Sequence, residues 1–263
     1  QLAALTSANV RGFGTDSADA LSSDQVAAIG SDASGMTSAA LAALNSSNIT
    51  GLSTSAMAAL RSDQVAALGE DAVALDTAAL GALSSAGLKG LATAALAAMT
   101  SDQVAAMGST AVALGSSQLA ALTSLNATGL ATAAVAALSS DQVKALDGDA
   151  VGLDTAGLAA LTSANIKGLS TAALSALSSD QVGALGSDTA ALNSQQFAAL
   201  TTANMQGLDA TAVGNFNSAQ ISALGSDVSG LSTAALAALT TLNVKGLTTG
   251  ALAALDSAQV TAL

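Results

Sequence analysis

Cysteine, histidine, tryptophan and tyrosine are all missing from these 263 residues, and three phenylalanines are the only aromatics. Without cysteine there is no disulfide and no thiol redox chemistry. Acid–base and nucleophilic catalysis would have to rest on aspartate, Glu70, lysine or serine, so the sequence reads as that of a protein that is not an enzyme. Positive charge is also scarce: 6 basic residues stand against 18 acidic ones, a net charge of -12. Nucleic acid is therefore a poor partner for this surface. Long apolar runs are absent too. Mean hydropathy is +0.57, yet Ser, Thr, Asp, Asn or Gly interrupts every stretch before the roughly 18 apolar residues that a membrane span needs. The amino terminus carries no basic region followed by an apolar core, so any export signal lies outside this chain or is absent.

What is present is repetition. Leu5, Leu44, Leu83, Leu122, Leu161, Leu200 and Leu239 begin successive 39-residue blocks, with no insertion or deletion, and residues 1–263 read as a single tandem-repeat solenoid. Each block divides into five units, four of eight residues and one of seven. In the fifth copy they begin at Leu161, Leu169, Leu177, Leu185 and Leu192. A unit is Leu, two small polar residues, two variable ones, an apolar residue, then small residues.

Apolar positions spaced alternately by five and three fit neither a continuous helix nor a strand. They fit a turn or so of helix per unit, with Ser or Thr as N-cap and an acid in the first turn. The predicted fold is all-α, a solenoid of very short helices that are unstable alone and must stack on neighbouring copies. A β-solenoid is the alternative, disfavoured by the abundance of alanine. If one 39-residue block is one superhelical turn, five short segments surround a core of Leu and Val. A hairpin-like layer per block is the other arrangement.

Three sets of residues recur as structural columns. Gln25, Gln64, Gln103, Gln142, Gln181, Gln220 and Gln259 occur in every copy, and Asn9, Asn48, Asn126, Asn165, Asn204 and Asn243 are broken only by Gly87. Such amides suit hydrogen bonds to the backbone of the next turn or to one another, at helix ends that leave groups unpaired. Gly12, Gly51, Gly90, Gly129, Gly168, Gly207 and Gly246 predict a C-cap or corner that needs either positive φ or close backbone approach.

Acidic residues form two further columns, Asp24, Asp63, Asp102, Asp141 and Asp180, and Asp32, Asp71, Asp149, Asp188 and Asp227. They read as helix N-terminal acids; no catalytic or metal residue is assigned, and calcium is the one cofactor they leave open. Thr15, Thr54, Thr93, Thr132, Thr171 and Thr249 read as caps, because threonine ladders that bind ice ride on β-strands about 4.8 Å apart. Arg11, Lys89, Lys167 and Lys245 mark a solvated edge in alternate blocks.

The phrases Ser62-Asp63-Gln64-Val65-Ala66-Ala67-Leu68 and Ser232-Thr233-Ala234-Ala235-Leu236-Ala237-Ala238-Leu239 resemble the Ala/Leu/Ser/Thr-rich short repeats of large bacterial surface or secreted proteins, often labelled adhesin-like or haem-utilisation proteins. The resemblance implies export to the cell surface or beyond it and a structural or adhesive role. It carries over no haem ligand. The expected function is a repeat scaffold, filament-forming segment or stalk, with an adhesive or ligand-binding module, calcium-dependent or not, as the alternative. Neither end of the sequence shows a polar cap, so the expected partners are further copies of the repeat, in a longer chain or by self-association.

Overall fold

The computed structural model describes residues 1–263, all in short helices and the turns between them, with no strand. The α-helices run from four residues, as in Ser38–Leu41, to seven, as in Ser23–Ile29. Between them lie 3-10 segments such as Ile49–Gly51 and Gly69–Ala74. Contacts gather into two compact units, Gln1–Ala134 and Val135–Leu263. Each is an α-solenoid built on the same plan.

Side-chain chemistry sets that plan. In the first unit, Leu60 (φ -65°, ψ 136°) and Arg61 (φ -82°, ψ 165°) are extended, and helix Ser62–Ala67 follows. An eight-residue unit thus turns a corner on two extended residues and spends the rest on one helical side. The second residue of the unit is the N-cap. Ser22, Thr100, Ser139 and Ser178 each accept a hydrogen bond from the backbone N–H of the glutamine three residues on, whose own side chain returns the bond. This corrects the assignment of the threonine column: Thr54, Thr93 and Thr171 are the first helical residues, and the caps, where there are any, lie one residue earlier, at Ser53 and Ser170. Arg61 stands where other copies have a capping Ser, Thr, Asn or Asp. Its guanidinium pairs with Asp63 at 3.1 Å and holds that carboxyl below its ordinary range.

The seven-residue unit turns its corner differently. Helix Ser62–Ala67 continues through a helical Leu68 (φ -67°, ψ -19°), and the next residue, Gly69, reverses the chain at φ 57°. Gly30, Gly108, Gly186 and Gly225 do the same at φ 55–63°. One positive-φ residue replaces two extended ones, which is why the unit is a residue short. Position 147 is the exception, where Asp takes φ 44° and ψ -129°. A side chain in that region is strained by about 1–3 kcal/mol. Asp147→Gly is therefore expected to stabilise the protein by about 1 kcal/mol, read as a higher urea midpoint; an unchanged or lower midpoint would contradict the strain.

The coil is smaller than one sequence block. Thr54–Ala59 packs on Thr77–Ala82, a sequence offset of 23, and Ser38–Leu41 packs on Ser62–Ala67, an offset of 24. Thr155–Ala159 packs on Ser179–Ala184 in the same way, again at an offset of 24. Three units therefore complete a turn, the offset being 23 when the seven-residue unit is among them and 24 when it is not. The reading of a 39-residue block as one turn of five segments is overturned by these contacts. A block is one coil and two-thirds, so a given sequence position returns to the same side only after three blocks, fifteen units or five coils.

The interior is aliphatic. The sixth position of most eight-residue units is sealed, as at Val26, Ile49, Val65, Leu96, Val143, Ile166 and Val182, the fifth takes its place in the seven-residue units, as at Ala72 and Ala150, and the leading leucines, such as Leu60, Leu75 and Leu161, line the corners. Alanine before the sealed residue, as at Ala56 and Ala173, lets the neighbouring coil come close. Burial of this kind offsets the cost of nucleating helices of one or two turns. In the second unit Phe197 and Phe216 replace aliphatic residues and meet edge to face, centroids 4.7 Å apart.

Candidate functional site

The recurring amides sit where helix ends of adjacent coils meet. Each is the third residue of its helix or turn. In the first unit of the fold, Gln64 accepts the Arg61 backbone N–H at 3.1 Å and donates to the carbonyls of Ser34 and Met36, both at 2.9 Å. Gln103 likewise accepts from Thr100 and donates to Val73 and Leu75. In the second unit Gln181 donates to Val151 and Leu153, Gln220 to Ala190 and Leu192, and Gln259 to Ser229 and Leu231. Gln25 and Gln142 accept the N-cap N–H of Ser22 and Ser139.

The asparagines do the same with a shorter arm. Asn165 accepts the Thr162 N–H at 2.8 Å and donates to Val135 at 3.1 Å and Leu138 at 3.0 Å, the carbonyls that close the helical side one coil earlier. Asn48, Asn126, Asn204 and Asn243 repeat this on Leu21, Leu96, Leu174 and Phe216, and Asn9 caps Thr6. One amide thus joins the start of one helix to the frayed end of another, accepting an N-cap N–H that has no partner within its own helix and donating to carbonyls at the end of the other. Neighbouring amides of a column are separated by a whole 39-residue block, so successive members fall on different sides of the coil. They meet backbone and not one another.

Two staples escaped the column reading. Gln118 donates to Leu88 and Leu91, and Gln196 to Lys167 and Leu169. Both lie in the fifth unit of their block, at the same place within the unit as the others, which was the signal available. Where Gly87 interrupts the asparagine column, its N–H is capped by Ser84 and a Cβ would stand 3.3 Å from the Leu60 carbonyl. Gly87→Asn is expected to add a staple and remove a flexible helix residue, for a gain of about 1 kcal/mol or more; thermal unfolding reads it, and a loss would show that the site is too tight.

The glycine column serves close approach. None of its members has positive φ, and a Cβ on Gly51, Gly90, Gly129, Gly168, Gly207 or Gly246 would collide with the backbone carbonyl of Ser23, Ser62, Ser101, Ser140, Ser179 or Ser218. Those serines open the Asp-Gln helices of the coil before, or the Ala-Gln helix in the case of Ser218. Gly12 faces open space.

The acids serve helix starts and turns. Asp24, Asp63, Asp102, Asp141 and Asp180 lie in first turns, while Asp32 accepts the Ser7 N–H and Asp227 the Thr202 N–H and hydroxyl from the neighbouring coil. No three acidic side chains gather as a metal site. Arg11, Lys89, Lys167 and Lys245 are exposed.

Much of the chain matches a known repeat family. The ALTTAQ repeat matches residues 1–31, 34–70, 72–110 and 150–187, together more than half of the chain. The chain belongs to the ALTTAQ repeat family. The matched stretches carry the Gln64, Gln103 and Gln181 staples, so in this ALTTAQ protein the family's repeat coincides with the device that fastens coil to coil. No curated protein and no solved structure matches the chain.

Proposed function

We propose that this ALTTAQ array is a structural scaffold, a stalk or filament-forming segment of an extracellular bacterial protein, with further repeats as its partners and no enzymatic role. One observation carries the reading: the polar groups that could have served a ligand are committed to the fold. Every buried side-chain nitrogen and oxygen has a hydrogen-bond partner, and the recurrent amides point to backbone of the adjacent coil. A repeat without insertions also offers none of the irregular loops on which sites are usually built. The acidic surface keeps such an array solvated. The resemblance to repeats of bacterial surface proteins supports the location outside the cell.

The test is thermal unfolding with added calcium and with a chelator, together with surface proteolysis of intact producing cells. A scaffold held by its own amides gives the same Tm in both solutions and is cut on the intact cell. A Tm that rises with calcium would replace this reading by the ligand-dependent adhesive module, since a ligand of the folded state stabilises it. Protection from protease on intact cells that ends on lysis would overturn the location.

A further inference from the structure

We propose that Asp147 is a site of spontaneous backbone modification, at which the folded protein converts aspartate into isoaspartyl and D-aspartyl forms. Two independent observations meet there. Asp147 is the one aspartate in the sequence followed by glycine, so the next residue brings no side chain of its own to shield the attacking nitrogen. It is also the one non-glycine residue at positive φ, and it is exposed.

The angle ψ of -129° gives these facts a chemical consequence. At this ψ the Cα–Cβ bond of an L residue nearly eclipses the bond from the Asp147 carbonyl carbon to the Gly148 nitrogen. That is the arrangement a five-membered ring through Cγ and this nitrogen requires. In the protonated carboxyl, the Gly148 nitrogen attacks Cγ and forms a C–N bond. The nitrogen loses its proton and the carboxyl its hydroxyl, which leave as water, and a cyclic imide remains. Water then adds to one imide carbonyl. Breaking the nitrogen–Cγ bond restores aspartate, and breaking the bond to the main-chain carbonyl carbon leaves isoaspartate. While the ring is closed, the Cα proton is acidic and can be lost and returned on either face, so both configurations form with no oxidant or reductant.

The fold selects among these products. A D residue at φ 44° and ψ -129° is the mirror image of an L residue at φ -44° and ψ 129°, close to the extended corner of Leu60 at φ -65° and ψ 136°. The L form is strained in this corner and the D form is not. Repeated closure and opening therefore drains the L form toward the D form.

The experiment ages the intact protein in mildly acidic buffer at physiological temperature. Trypsin then releases the segment 145–167 between Lys144 and Lys167, whose isomers are separated by chromatography, located by fragmentation and labelled with an isoaspartyl methyltransferase. A synthetic peptide of the same segment is aged alongside. Isobaric products should appear at Asp147 and none at Asp149 or Asp154. In the folded protein, D-Asp should come to exceed L-Asp by roughly tenfold. The peptide should give near-equal amounts. The Asp147→Gly variant, expected to fold at least as well, should give none. An unchanged Asp147 after the peptide has converted, or equal D and L forms in the folded protein, would overturn the proposal.

Discussion

Gly168→Ala should lower the stability of the array by about 3 kcal/mol, while Gly12→Ala should leave it almost unchanged. The added Cβ at position 168 would collide with the Ser140 carbonyl and stand 2.8 Å from Val143 Cβ and 2.9 Å from the Lys144 backbone nitrogen. Two of these are backbone atoms of the adjacent coil, and no side-chain rotation relieves them. The segment Ile166–Gly168 must lift from helix Ser140–Leu146, on which it packs. At position 12 the same methyl meets nothing within 4 Å. Urea unfolding of both variants gives the comparison, and because neighbouring repeats couple, hydrogen exchange at Val143 and Ile166 shows whether the loss begins at this contact. Equal midpoints for the two variants would refute the close-approach role of the glycines.

The second large effect concerns the staples. Asn165→Ala removes the acceptor of the Thr162 N–H and the donor to the Val135 and Leu138 carbonyls. Asn165 is 1% exposed, so water does not replace those partners freely, and the expected cost is roughly 3 kcal/mol. Asn165→Asp separates the two halves of the staple. The carboxylate still accepts from Thr162 but turns an oxygen toward the two carbonyls, which disfavours its charged form and raises its folded pKa above the unfolded one. The folded state then binds the proton more readily than the unfolded state. Stability of this variant should accordingly fall as pH rises through the carboxylate range and recover on acidification. If Asn165→Ala costs no more than an exposed Ser163→Ala change, or if Asn165→Asp shows no pH dependence beyond that of the parent protein, the amides are not what joins the coils.

Much of this architecture could be read from the sequence. The unit boundaries at Leu60 or Leu177, the helix starts after them and the absence of strands all follow from apolar spacing and capping chemistry. The number of units per coil could not be read. Successive units present much the same apolar corner residue and the same kind of buried side chain behind it, so nothing in the pattern distinguishes three sides from five. The 39-residue period records which five units recur together, whereas the 23- or 24-residue coil is set by how sharply those corners turn. The glycines divide along the same line. Gly51 and Gly168 are visible as a column, but the choice between positive φ and close approach depends on what lies beneath them, Ser23 and Ser140 of the coil before. The positive-φ residues Gly30, Gly69, Gly108, Gly186 and Gly225 occupy the shortened unit, where the missing residue was the available hint.

The three-unit coil is tested most directly with spin labels on paired cysteines, which the natural absence of cysteine makes clean. Positions 144, 167 and 206 are all exposed. Lys144 and Lys167 are one coil apart in sequence, whereas Lys167 and Gln206 are one sequence block apart. Adjacent helical layers pack about 8–10 Å apart, so the 144/167 pair should show strong dipolar broadening and the 167/206 pair little. The reverse result, with the block-spaced pair the closer of the two, would mean that the sequence block is the turn of the solenoid and that the amide staples join other coils than those assigned to them.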